Sequence, residues 1–171
     1  HTAGNAARAA AAGLEVGIDP RDIAGALAEY RSAPMRWETT DRGGVRLIND
    51  AYNANPVSMR AALSTLAGMA DGRRCWAVLG GMSELGSTER EQHRAIAEFA
   101  AELPLAEVIT VGARARMIHD AGPRHWEHAD TPEDAARLLL ERVAPGDCVL
   151  FKGSRSERLE TVLDRYGALT E

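Results

Sequence analysis

Cys75-Trp76-Ala77-Val78-Leu79 is an unbroken apolar run. It is too short for a buried helix, and it lacks the polar alternation of a strand that faces water on one side. A run of this kind belongs to a strand covered on both faces, which means a parallel sheet with helices above and below it. Parallel neighbours need crossover connections, and the rest of the chain supplies them. Val45–Asp50, Val108–Val111 and Cys148–Phe151 read as further strands, with His125–His128 as an edge strand. Between them lie helical stretches. One starts at Pro56 and presents Met59, Ala62, Leu63 and Leu66 on one face. The next runs from Thr88 to Leu103, with Thr88 and Glu91 spaced as a capping box. Arg114–Asp120 reads as a short helix, and Thr131-Pro132 opens another that reaches Val143. A closing helix from Ser154 to about Tyr166 buries Leu159, Val162, Leu163 and Tyr166. Arg36–Thr40 is expected to pair with Val45–Asp50 around the turn Asp41-Arg42-Gly43-Gly44. The order predicts an α/β fold with a doubly wound, mostly parallel sheet.

The opening of the chain does not fit this rhythm. Ala3–Val16 is alanine-rich and helix-favouring, and Asp19-Pro20 caps a second helix that runs to Arg31. Two helices without a strand cannot close a core. Residues 1–34 therefore read as a short helical remnant of a preceding domain, and 35–171 as the α/β domain.

Charge and composition exclude several functions. With 171 residues, a net charge of −5 and a pI near 5.6, the chain lacks the basic footprint of a dedicated nucleic-acid binder. No apolar run approaches the ~20 residues of a membrane span, and no signal-peptide pattern is present. Cys75 and Cys148 sit in apolar runs and read as buried, reduced thiols of a cytoplasmic protein, able to pair only if neighbouring strands bring them together. The five histidines lack partners at zinc-ligand spacing. Of the 20 basic residues only Lys152 is a lysine, and it lies outside any Gly-Lys-Ser/Thr context, so a phosphate-binding P-loop is absent from this stretch.

Ligands of open α/β sheets gather at the carboxyl ends of the strands. Three polar segments fall there: Asn49–Pro56, Gly80–Gly86 and Lys152–Ser156. Each also has a structural reading, since Asn55 precedes Pro56 as a helix cap, Ser154 and Glu157 fit a capping box, and the glycines suit tight turns. The third segment puts Lys152 and Arg155 beside an expected helix N-terminus, a receptor for a carboxylate or phosphate. The residues by themselves lead to an α/β domain with an anion-friendly rim.

Ile48-Asn49-Asp50-Ala51-Tyr52-Asn53-Ala54-Asn55-Pro56, then Val78-Leu79-Gly80-Gly81-Met82-Ser83-Glu84-Leu85-Gly86 with His93 downstream, then Phe151-Lys152-Gly153-Ser154-Arg155, resemble in order and spacing the carboxyl-terminal part of the Mur ligases. The match covers essentially the whole chain. It points to the branch that joins D-Ala-D-Ala to UDP-MurNAc-tripeptide through an acyl phosphate in cytoplasmic peptidoglycan precursor synthesis. The resemblance implies a Rossmann-like carboxyl-terminal domain over 35–171 and the tail of a central ATP-binding domain over 1–34. ATP and Mg2+ are the implied cofactors, with the P-loop and metal ligands expected upstream of His1 and the isolated piece expected to be inactive. His1 and Asn5 resemble the adenine-side residues, with Thr2 in place of the usual Asn. Arg36 resembles the arginine that reaches the ATP phosphates, although Met35 replaces the usual Gly before it. Asp50 resembles the carboxylate that contacts the ribose. Asn53 and Asn55 would line the cleft, and Lys152, Ser154 and Arg155 would face the dipeptide; Arg36, Asp50 and Lys152 are the catalytic candidates. Gly81 stands where relatives often carry Asp. A Mur-type ligase with another acceptor and a stand-alone ligand-binding module are the alternative readings. Family membership implies a monomer, while the charge and the short apolar runs are what speak against a nucleic-acid partner and a membrane span.

Overall fold

The computed structural model describes residues 2–170. The chain divides into two compact units, His1–Ala33 and Pro34–Glu171. In the first, α1 (Thr2–Glu15) and α2 (Pro20–Glu29) are joined through Gly17, whose φ of 83° no β-carbon obstructs. Asp19 caps α2 by accepting the Arg21 N–H at 2.7 Å, and Pro20 needs no such partner. Buried residues are lacking in α2, and Leu14, Val16, Ile18, Leu27 and Tyr30 are exposed. The pair therefore has little core of its own.

The second unit carries the sheet. Its elements are β1 (Glu38–Arg42), β2 (Val45–Asp50), α3 (Pro56–Gly68), β3 (Cys75–Leu79), α4 (Glu89–Ala101), β4 (Glu107–Val111), α5 (Arg116–Ala121), β5 (Glu127–Ala129), α6 (Pro132–Arg142), β6 (Cys148–Lys152) and α7 (Glu160–Thr170). The six strands lie in the order β1-β2-β6-β3-β4-β5, parallel throughout except for β1, which runs antiparallel to β2. Alternate residues of each strand face opposite layers. Ile48, Ala77, Leu79, Cys148 and Leu150 meet Met59 and Leu63 of α3, Ile96 of α4 and Ile118 of α5. Leu47, Trp76, Val78, Val149 and Phe151 meet Leu139 of α6 and Val162 and Tyr166 of α7. Burial on both sides is why β3 and β6 show no polar alternation. No helix among the described residues is long and apolar enough to cross a membrane.

Several local expectations are corrected. The hairpin turn is only Gly43-Gly44, with φ of 55° and 78°, and Arg42 pairs directly with Val45. A two-residue turn with positive φ at both positions matches strand twist, so β1 runs two residues later than the pattern indicated. Met35 and Trp37, also at positive φ (59° and 55°), keep the chain irregular before Glu38. α7 begins at Glu160, not Ser154: residues 155–157 form one 3-10 turn, Arg158 is left-handed, and Leu159 drops into the core. Ser154 makes no side-chain cap there. Thr88 likewise caps nothing, its hydroxyl donating to the Leu85 carbonyl at 2.9 Å. Asn55 does form a full capping box, with Ser58. Cys75 and Cys148 are register partners on neighbouring strands, both buried and both free.

Candidate functional site

At the carboxyl ends of β2, β6 and β3 the register aligns Asp50, Lys152 and Leu79 across three adjacent strands. From here β2 and β3 lead to helices on one face of the sheet, while β6 leads to α7 on the other. The divergence opens a crevice over the strand ends, the place where doubly wound sheets hold ligands. The three polar segments of the sequence meet at this rim. Gly153 makes the meeting possible, because a β-carbon there would lie 2.9 Å from the Gly80 α-carbon. The Gly80 N–H donates to the Lys152 carbonyl at 2.9 Å, and the Ser154 N–H donates to the Gly81 carbonyl at 2.9 Å.

Lys152 is 2% exposed. Its ammonium lies 3.1 Å from Asp50 Oδ2 and donates to the carbonyls of Asp50 (3.1 Å) and Asn53 (2.6 Å). All three donors are thereby engaged. Burial pushes the ammonium below the ordinary lysine range; the Asp50 carboxylate opposes that shift and Arg36 adds to it. The other oxygen of Asp50, Oδ1, accepts the Trp37 N–H at 3.2 Å. Arg36 is exposed, with its guanidinium 4.3 Å from the Tyr52 ring centroid, and no carboxylate among the described residues pairs with it. The Tyr52 N–H donates to the Met35 carbonyl at 3.1 Å.

Asn53 is exposed and turns its side chain back to accept the Ala54 N–H at 2.8 Å. Asn55 caps α3 beside it. Ser154 is 3% exposed, its hydroxyl accepting the Ser83 N–H at 2.8 Å and facing the Ala54 carbonyl at 3.5 Å. Arg155 is exposed and pairs with Glu160 at 2.5 Å. The arrangement thus differs from the expected cationic helix N-terminus: no helix starts at Ser154, and Lys152 and Ser154 spend their polar atoms inside the protein. Asn5 lies exposed in the first unit, with its side chain accepting from Arg8 at 3.2 Å. His1 lies outside the described residues.

The Gly80–Gly86 segment is held from below. Fully buried His93 accepts the Met82 N–H through Nε2 at 2.9 Å, so Nδ1 carries the proton and donates to the Glu89 carbonyl at 2.6 Å. Arg114 was not singled out by the sequence. It bridges Glu89 (2.6 Å) and Glu157 (3.0 Å), reaches Ser83 at 3.5 Å, and lies over Gly81, where a β-carbon would meet its side chain at 2.5 Å. The hydrogen bond to Glu89, then that to Glu157, hold the Arg114 guanidinium above its ordinary value. Its position just past the carboxyl end of β4 was the available signal. Tyr52, whose ring lies against Arg36, stood in the first motif without a role assigned to it, and Trp37, whose N–H meets Asp50, carried no signal of its own. Among the described residues no group of three or more His, Cys, Asp or Glu is placed to hold a metal ion.

A family model described as "Mur ligase, glutamate ligase domain" matches residues 35–155. The UDP-N-acetylmuramoyl-tripeptide–D-alanyl-D-alanine ligase of Mycobacterium leprae is 37% identical over 96% of this chain and 36% of its own length. The Bacillus subtilis enzyme of the same name is 34% identical over 95% of the chain and 37% of its own length. Among solved structures, MurF from Acinetobacter baumannii superposes with a TM-score of 0.85 at 29% identity, covering 96% of this chain and 36% of that one. MurF ligase from Thermotoga maritima, in complex with ADP, gives 0.79 at 30% identity, covering 92% and 36%. The chain spans little more than a third of the length of the curated relatives it matches. With the family model covering the sheet and all three motifs of its rim, the chain belongs to the Mur ligase family.

Proposed function

We propose that this chain is the carboxyl-terminal portion of an ATP-dependent ligase that joins D-Ala-D-Ala to UDP-MurNAc-tripeptide, a cytoplasmic step of peptidoglycan precursor synthesis. The observation that carries this reading is the convergence, on one rim, of three segments far apart in sequence, with exposed Arg36 and buried Asp50 at its centre. In such a reaction the tripeptide carboxylate attacks the γ-phosphate of ATP, releasing ADP and forming an acyl phosphate, and the dipeptide amine then attacks its carbonyl carbon, forming the amide and releasing phosphate. The protein's part is to position the reactants and to balance phosphoryl charge. Arg36, a cation without a carboxylate partner among the described residues, fits the phosphates of the nucleotide, and Asp50 beside it the ribose. Asn53 and Asn55 border the cleft. Arg155 is the exposed cation suited to the carboxylate of the dipeptide, although it must first leave Glu160.

The P-loop lysine and the magnesium ligands belong, in this reading, to the remainder of the full-length protein. Residues 1–34 are the tail of that central ATP-binding domain, with His1 and Asn5 on its adenine side. The isolated piece is inactive and the full-length protein monomeric. The test is phosphate release by the full-length enzyme with ATP, magnesium and UDP-MurNAc-tripeptide. D-Ala-D-Ala is compared with single amino acids and ammonia as acceptor. Release that depends on D-Ala-D-Ala is expected; release with a different acceptor would keep the scaffold and overturn the substrate.

A further inference from the structure

We infer that Lys152 is a positioning residue, which from inside the sheet fixes the loop that sets Arg36, and not a ligand of the dipeptide. The inference rests on the proposed function for what Arg36 does, but its geometric part stands apart from it. Lys152 meets three acceptors from one stretch of chain: the Asp50 carboxylate, the Asp50 carbonyl and the Asn53 carbonyl. Only a compact three-donor cation satisfies such a cluster around a single point; the flat guanidinium fork of Arg does not. That explains why one lysine stands in a chain whose other 19 basic residues are arginines.

The pinned loop in turn holds both peptide groups that flank Arg36. Asp50 Oδ1 accepts the N–H of Trp37, and the N–H of Tyr52 donates to the carbonyl of Met35. The Tyr52 ring lies under the Arg36 guanidinium itself. Trp37 and Met35 are both at positive φ, a conformation that non-glycine residues hold only when their surroundings impose it. The two hydrogen bonds from the Asp50–Tyr52 stretch are such an imposition. Lys152 thus acts on Arg36 through Asp50 and the loop, with no free donor left for a substrate.

The experiment uses the full-length protein and the variants K152M, K152R, R36A and K152M/R36A. Amide exchange without substrates and steady-state kinetics are the two readouts. Loss of the charge-assisted bonds of Lys152 is expected to raise exchange at 35–37 and 50–54 by about tenfold or more, leaving peptides of α4 and β4 unchanged. The KM for ATP should rise by about tenfold while that for D-Ala-D-Ala stays within about twofold. K152R should not rescue either readout. In the R36A background, K152M should add little to the kinetic loss, because both act through one group. A tenfold rise in dipeptide KM, with exchange and ATP KM unchanged, would overturn the inference. Absence of any D-Ala-D-Ala-dependent turnover in the wild type would overturn the proposed function instead, and the exchange pattern would still decide whether Lys152 pins the loop. Should K152M not accumulate as folded protein, D50N carries the exchange arm alone. Raised exchange at 35–37 and 50–54 supports the pinned loop and unchanged exchange overturns it, whereas the ATP KM of D50N would also report Asp50's own place at the ribose.

Discussion

Replacing His93 by Ala is expected to lower the stability of the 34–171 unit by about 3–4 kcal/mol. The imidazole is fully buried and makes two hydrogen bonds of opposite sense, accepting from Met82 and donating to Glu89. Ala removes both. Met82 is itself fully buried, so its N–H is left with no acceptor and no access to water, at a cost of ~1–3 kcal/mol. The Glu89 carbonyl loses a partner as well, and the emptied ring volume adds a cavity penalty that brings the total to the stated range. Urea unfolding followed by tryptophan fluorescence measures this directly. With a slope of ~1.5–2 kcal/mol/M for a unit of this size, the midpoint should fall by roughly 2 M. H93Q, whose side-chain carbonyl can still accept from Met82, should recover about 1 kcal/mol. A loss below about 1 kcal/mol in H93A would refute the reasoning, since the Gly80–Gly86 segment would then be held by something other than this ring.

Three further expectations follow from the geometry. Asp147, 5% exposed at the opposite end of the sheet, accepts from Arg74 at 2.6 and 3.0 Å, from the Trp76 indole at 3.1 Å and from the Ala144 N–H at 2.9 Å. D147A should cost ~3–5 kcal/mol yet leave the kinetics of folded full-length enzyme unchanged, and altered KM values with normal stability would contradict that division. Burial first, then Arg116, hold His128 below its ordinary value, so the folded state takes up this proton less readily than the unfolded one. Its contribution is therefore fully present above pH ~6.5 and is lost as pH falls from there through the depressed folded value. H128Q should lose less stability than wild type between pH 7.5 and 5.5, and equal losses would count against the assignment. Burial also raises both thiols, Cys148 to about 11, so neither should react with an aromatic disulfide reagent at pH 8 until the protein is unfolded. Rapid labelling of the native protein would contradict their placement.

What could be read from the chain beforehand depended on whether the signal was local. The apolar runs at Cys75 and Cys148 declared strands covered on both sides, and Asn55-Pro56 and Asp19-Pro20 marked true helix starts, because each signal is complete within a few residues. The start of α7 was not legible. Ser154 has the spacing of a cap, but its hydroxyl is claimed by the backbone of Ser83, and Arg158 interrupts the helical path. The position of β1 turned on two glycines sharing one turn rather than closing a longer one. At the rim, the types of residue were readable and their directions were not. Lys152 read as a cation facing the dipeptide from an expected helix N-terminus; its partner Asp50 lies one strand away through a register that only the assembled sheet defines. The facing cysteines are the same case.

The last strand of the chain lies in the middle of the sheet, and this bears on how the protein can be made. β6 separates β2 from β3, and its lysine bonds a carbonyl 102 positions earlier in the sequence. During synthesis the β1-β2 pair and the β3-β4-β5 set cannot be joined, and β2 and β3 both present an unpaired inner edge, until residues 148–152 leave the ribosome. Pairings this distant in sequence form slowly, and open strand edges invite association with other chains. A nascent chain stalled or cleaved before Cys148 would not be a nearly finished domain but two half-sheets with adhesive borders, so quality control of this sheet rests on the arrival of residues 148–152.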